Sequence, residues 1–242
     1  AGVVKADAYG LGAAQVVPAL HAAGCRHFFT AHLEEAIALR LLLADEMGAG
    51  AMVAVLNGLP RGSEATFVAH GVLPVLGTLD EIARWAGLAG RLGRRLPALL
   101  HIDTGMNRLG LDVGALAGIA GRLDGIALRY VMTHLVASEV ADDPMNARQC
   151  ARFAAACAAL PGVARSFANS SGIFLGAAYG SDLARPGAAL YGINPTPGRA
   201  NPMRPVARLR ARVLALRDVP AGESVGYNSA WVAARASRIA TV

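Results

Sequence analysis

The chain has 242 residues, 54% of them hydrophobic and 17% charged, with a formal net charge of +6; that length can bury a full core within one barrel-sized domain. Charges interrupt every long apolar run, as Arg152 does in 151–164, so nothing approaches the ~20 apolar residues that span a bilayer, and no membrane partner is expected. The basic balance is dispersed as arginines, and its densest stretches, Arg94–Arg95 and Arg204 to Arg212, lack interleaved aromatics, which argues against a nucleic-acid partner.

Cys25, Cys150 and Cys157 show no metal-ligand spacing, so no metal is expected, and their odd number argues against a disulfide framework. Cys150 and Cys157 lie seven apart on a predicted helix and read as packing residues. A reduced, cytoplasmic setting follows. The chain does not begin with methionine, opens on its first strand and stops inside RIATV, so both ends read as cut.

The first element, VVKA (3–6), is a short apolar strand carrying Lys5, the only lysine in the chain. A guanidinium stays protonated, whereas a lysine amine can lose its proton and attack a carbonyl. A single lysine among 23 Lys and Arg residues, at a strand end before a Gly-containing loop, points to that chemistry rather than to a solvated charge. Further strands are predicted at 27–31, 52–56, 73–76, 98–103, 128–134, 165–169 and 182–187, separated by helical patterns such as 33–48, 79–93 and 144–160. The first two of those helices begin on acidic residues, which suit a helix N-terminus. Eight strands with helical crossovers spell an α/β fold, a parallel (β/α)8 barrel; an open doubly wound sheet usually has fewer. From about Pro205 the pattern changes to period-two alternation in 206–219, a turn at 220–223 and further strand patterns. The organisation expected is a barrel over 1–200 and the opening of an all-β C-terminal domain over 201–242.

In parallel barrels the working residues sit at the C-terminal strand ends, with phosphate held by the loops after strands seven and eight. Applied to these strands, that rule selects Lys5, the segment 101–108, His134, Asn169, Ser170 and Arg185. The two loops read NSSG (169–172) and PGAALYG (186–192), whose small residues expose backbone N–H groups suited to a dianion. Each residue alone has a structural reading: Arg185 as a rim ion pair, Ser170 as a helix N-cap, His134 as a core histidine. Together a sole amine, a phosphate cradle and an arginine imply pyridoxal phosphate.

Six motifs, VVKADAYGLG, HIDTGMNRLGL, MTHLVASE, FANSSGIF, RPGAALYGINP and VGYNSAW, resemble the alanine racemase family in order and spacing, from end to end of the chain. The resemblance implies an isomerase that interconverts L- and D-alanine and supplies D-alanine for peptidoglycan, working as a homodimer with shared active sites. It implies that Lys5 binds the cofactor covalently and is one of two catalytic bases, the other being Tyr227, which reaches into the partner subunit's site. Tyr9 matches a tyrosine near the cofactor phosphate, Arg108 an arginine on the cofactor's phenolic oxygen and Met106 a substrate-side methionine. His134 matches a histidine bracing Arg185, and Asn169, Ser170, Gly187 and Ala188 match polar and phosphate-binding positions. One departure stands out: His101 occupies the place where many members carry a carbamylated lysine, so Arg108 is expected to be held by a bound anion or by His101. Asp103 is read as structural. The alternatives are a racemase of broader substrate range, a non-catalytic cofactor-binding barrel, and a barrel decarboxylase, which should carry a carboxylate where Arg185 stands.

Overall fold

The computed structural model describes residues 1–43 and 50–242, which fall into two units, Ala1–Val206 and Ala207–Val242. In the first unit, strands β1 (Gly2–Val3), β2 (His27–Thr30), β3 (Met52–Val55), β4 (Leu73–Leu76) and β5 (Leu96–Asp103) pair in parallel, each with the next. A two-residue strand, β6 (Leu111–Asp112), adds to the end of β5. The parallel order then continues from β5 to β7 (Ile126–Met132) and β8 (Ala164–Ser166). Each predicted strand up to the seventh is present, displaced by a few residues at its ends, while β6 is too short for any periodicity to announce it.

The eighth predicted strand, 182–187, occupies its place without a regular ladder. Leu183 and Arg185 donate backbone N–H groups to the carbonyls of Arg165 and Ala168, at 3.1 and 2.8 Å, on one side. On the other side Val3 N–H reaches the Pro186 carbonyl at 3.0 Å. The segment therefore closes the ring between β8 and β1. Pro186 has no N–H to give, which prevents continuous pairing.

Side chains alternate across the ring as a pleat requires. Phe29, Met52, Ala54, Val75 and Leu99 pack together in one apolar cluster, whereas Phe28, Val53, Val55, Leu100 and Ile102 join the larger cluster that includes the helices. A five-residue turn, α1 (Lys5–Tyr9), precedes α2 (Ala13–Ala22), α3 (Leu33–Leu42), α4 (Glu64–Ala69), α5 (Leu79–Arg91) and α6 (Pro144–Ala158). Helix α3 follows the predicted 33–48 pattern to Leu42, and positions 44–48 of that pattern lie outside the described residues. Cys150 and Cys157 both lie on α6, the first half-buried and the second buried.

In the second unit β9 (Ala215–Val219) pairs antiparallel with β12 (Ser237–Thr241), and β10 (Ser224–Val225) with β11 (Trp231–Val232). The strand predicted from 206 begins only at Ala215. Residues 207–214 find no ladder among the described residues and lie exposed, Leu209 at 98%; an alternating pattern without a partner strand leaves its backbone to water.

Glu81 ties two mouth loops together. Its carboxylate accepts N–H groups from Gly77 at 2.7 Å, Thr78 at 3.0 Å and Leu59 at 2.8 Å, while Thr78 Oγ1 caps α5 by accepting from Glu81 N–H. Replacing it strands three donors at once. Glu81→Ala is expected to lower the unfolding free energy by about 2–3 kcal/mol. Urea titration checks this, and a loss below ~0.5 kcal/mol would contradict the assignment.

Candidate active site

Lys5 stands where β1 ends, and the backbone then does something unusual. Ala6, Asp7, Ala8 and Tyr9 all have positive φ, between 51° and 58°, so α1 is a left-handed turn built without glycine. Such a conformation costs each L-residue about 1–2 kcal/mol. The turn is held by side chains: Glu35 accepts from Ala6 N–H at 2.6 Å, and Asp7 from Ala13 N–H at 2.7 Å. The other oxygen of Glu35 accepts from Ala31 and His32, at 2.8 and 3.0 Å, so one carboxylate caps α3 and anchors the peptide that follows Lys5. The predicted strand 3–6 stops at Val3 because the turn begins there.

A cavity of about 200 Å³ opens at this mouth, lined by Lys5, Tyr9, His134, Asn169, Ser170, Arg185, Gly187 and Ala188. Eight of the residues selected from sequence thus converge. Ser170 Oγ accepts from the N–H groups of Gly187 and Ala189, at 3.0 and 3.1 Å, locking one glycine loop onto the other. Ala188 opens a 3-10 turn to Tyr191, whose first N–H groups have no acceptor within the turn. Tyr9 stacks at 4.7 Å on Tyr191, which in turn donates its hydroxyl to the Val3 carbonyl at 2.9 Å. A Cβ at Gly187 would meet the Tyr9 hydroxyl at 2.3 Å, so any larger residue there would require the Tyr9 ring to shift. Asn169 Oδ1 accepts from Gly172 N–H at 2.8 Å and from Ser138 Oγ at 2.9 Å, so it shapes the loop.

Arg185 is 3% exposed and lies among no carboxylates that pair with it in the described residues. Its guanidinium donates to Ser166 Oγ and to the Thr133 carbonyl. The bracing expected from His134 is thus supplied by these two oxygens, and His134 is not one of the groups bonded to it. Burial pushes the guanidinium down to about 10, which leaves it charged at neutral pH. That charge acts on its neighbours. Burial first, and Arg185 second, depress His134 to about 3 and His101 to about 4, so both rings are neutral. With Lys5 and Arg185 in its lining and Glu139 its single acid, the cavity favours an anion.

Arg108 is elsewhere. It is exposed, joined to no described residue by an ion pair or side-chain hydrogen bond, and lines an adjoining cavity of about 150 Å³ with His101 and Glu81; Leu56 belongs to both walls. Asp103 is committed to structure, one oxygen accepting from Gly105, Met106 and Asn107 at 2.9 to 3.1 Å. Met106 sits half-buried in that turn and lines neither cavity. Tyr227 belongs to the second unit, where it is 96% exposed at the head of a turn in which Asn228 and Ser229 have positive φ. Sequence reasoning passed over Tyr191 and the bracing role of Glu35; a tyrosine inside RPGAALYG and the acidic start of α3 were the available signals.

Residues 1–195 match the family model described as alanine racemase, N-terminal domain, and residues 206–242 match that of the C-terminal domain. An alanine racemase from Acidiphilium cryptum is 57% identical over all of this chain and 67% of its own length. One from Methylobacterium nodulans is 52% identical over all of this chain and 65% of its own. Among solved structures, an alanine racemase from Bartonella henselae with covalently bound pyridoxal phosphate aligns at a TM-score of 0.88 and 39% identity, over 99% of this chain and 67% of that one. The biosynthetic enzyme from Pseudomonas aeruginosa aligns at 0.86 and 34% identity, over 99% and 66%. This chain therefore spans about two thirds of the length of these relatives.

The buried neutral histidines make stability depend on pH. Between about 4 and 6.5 the unfolded chain binds a proton at His101 that the folded chain refuses, so stability falls as pH falls across that window. His134 acts in the same sense down to about 3. Each contributes at most about 1.4 kcal/mol per pH unit. His101→Gln is expected to flatten the decline in unfolding free energy between pH 6.5 and pH 4 relative to the unsubstituted protein. Parallel curves would count against a neutral His101.

Proposed function

Because the chain belongs to the alanine racemase family, we propose that it interconverts L- and D-alanine with pyridoxal phosphate, using Lys5 and Tyr227 as opposed bases. The observation that carries this is the convergence of the sole lysine, a buried unpaired arginine and two interlocked small-residue loops on one cavity. Those residues fit pyridoxal phosphate: an amine for its aldehyde, the small-residue loops with the Ser170 hydroxyl and the Ala188 backbone for its phosphate, and a cation for its ring nitrogen. When bound, the cofactor supplies a conjugated acceptor for the electron pair left when Cα loses its proton.

The protein's own contribution is positional. Lys5, carried on the turn held by Glu35, would hold the cofactor until the substrate amine takes its place, and its freed amine would then move a proton at Cα on one face. The Tyr227 hydroxyl of a second copy moves a proton at the same carbon on the opposite face, which inverts the centre and makes the working unit a homodimer. Arg185 has donors and no acceptor, so it would hold the ring-nitrogen end of the cofactor without supplying the proton that a carboxylate partner would share. An arginine partner of this kind would favour proton return at Cα over transamination or decarboxylation. Tyr9, Ser170, Gly187 and Ala188 grip the phosphate end, and Asn169 holds that loop in shape. His134 stays uncharged beside Arg185. Arg108 and Met106 would serve the phenolic oxygen and the substrate side; both stand outside the cavity that Lys5 lines, and the expected hold of His101 on Arg108 is not among the described side-chain bonds. The product suits peptidoglycan synthesis, and the three unpaired thiols suit the reducing cytoplasm.

Two measurements on the full-length protein test this. Borohydride reduction with pyridoxal phosphate followed by peptide mapping should place the label on Lys5, and an oxidase-coupled assay over several L-amino acids should find alanine preferred; label elsewhere, or no D-alanine formed, defeats the reading. Tyr227→Phe should slow exchange of the Cα proton with solvent from one enantiomer by about a hundredfold or more while sparing the other. Equal slowing of both would remove Tyr227 as a one-sided base.

A further inference from the structure

Helix α6 presents a polar face to the barrel mouth. Asn146 and Gln149 on that face are both fully buried. Asn146 Nδ2 donates to the Val140 carbonyl at 2.9 Å, tying down the loop that carries Glu139. Gln149 does more. Its Oε1 accepts from Val136 N–H at 2.9 Å, and its Nε2 donates to the His134 carbonyl at 2.9 Å and to Thr104 Oγ1 at 3.1 Å. A buried amide costs about 1–3 kcal/mol unless its groups are paired, and here three bonds are made to two different strand ends. Thr104 follows β5; His134 and Val136 follow β7. Thr104 Oγ1 also meets Thr133 Oγ1 at 2.8 Å, with both threonines 1% exposed, and the Thr133 carbonyl receives the Arg185 guanidinium. Arg152, one turn along α6, adds a bond to the Thr104 carbonyl at 3.1 Å.

From this arrangement we propose that Gln149 is a positioning residue for the reaction, setting the β5 mouth against the β7 mouth. Three groups follow from its placement. The Thr133 carbonyl is held where Arg185 needs an acceptor, the His134 side chain is held in the cavity wall, and the turn after Thr104 carries Met106 and Arg108. A residue of similar size without hydrogen bonds would fill the same space, yet leave Val136 N–H, the His134 carbonyl and Thr104 Oγ1 free to shift. Displacements of about an ångström at reacting groups cost up to about a hundredfold in rate.

The inference rests on the functional reading above, so the unsubstituted full-length protein is the first control: if it neither binds pyridoxal phosphate nor racemises alanine, that reading falls and this one with it. Given an active control, Gln149→Met keeps side-chain length and removes every bond. It is expected to lower kcat about tenfold or more, to shift the absorption maximum of the bound cofactor, and to weaken pyridoxal phosphate binding to the cofactor-free protein severalfold. Thr104→Val removes only the shared acceptor and should lower kcat in the same direction. The double variant should lose about as much as the stronger single one, since the two act through one linkage. A Gln149→Met protein with kcat, KM, cofactor affinity and absorption within about twofold of the control, but a lower Tm, would reduce Gln149 to a packing residue. Should Gln149→Met fail to fold, Thr104→Val decides alone, and an unchanged spectrum and kcat there overturn the proposal.

Discussion

The charge of Arg185 governs this barrel mouth. A guanidinium buried to 3% exposure is costly unless its donors are met. Here the first relief comes from two neutral oxygens, Ser166 Oγ and the Thr133 carbonyl. Among the described residues no carboxylate shares the burden, so the positive potential spreads into the cavity. It helps to hold His134 and His101 uncharged and favours an electron-rich ligand over a cationic one. The strand order matters because it brings the two oxygens from β7 and β8 against a closing segment that must itself carry the arginine.

Lys5 owes its setting to a second strained device. Four successive residues in the left-handed region cannot be favoured locally, and the conformation persists because distant groups over-determine it. Glu35 is the chief of these, since it meets Ala6 N–H with one oxygen and the start of α3 with the other. Glu81 repeats the arrangement further round the ring. Both carboxylates sit at helix N-termini, where the helix dipole already stabilises negative charge, and both spend that charge on neighbouring loops. The barrel thus stiffens its working rim from outside the cavity.

Much of this was legible from residue order, and the exceptions have physical reasons. Buried parallel strands read as apolar runs, so β2 to β5 stood out, and the C-terminal strand ends named Lys5, His134, Asn169, Ser170 and Arg185. The closing segment read as a strand because periodicity takes no account of the N–H that Pro186 lacks. The left-handed turn was invisible in ADAY, where nothing but tertiary contact argues for positive φ. The strand predicted from 206 had its alternation but no partner before Ala215. Gln149 lies in a helix otherwise ordinary in pattern, and only the folded chain shows that its amide joins the ends of β5 and β7. His134 was expected beside Arg185 and lines the same cavity, yet the bonds to the guanidinium come from main chain and serine.

Gly187 and Tyr9 impose an order on how this site can change over time. The hydroxyl of one fills the space that any side chain on the other would claim. Enlarging position 187 first requires the ring to move, and a moved ring disturbs its contact with Tyr191. The larger partner has to yield before the smaller one can grow, so the two positions, 178 residues apart in the chain, drift as a single heritable character.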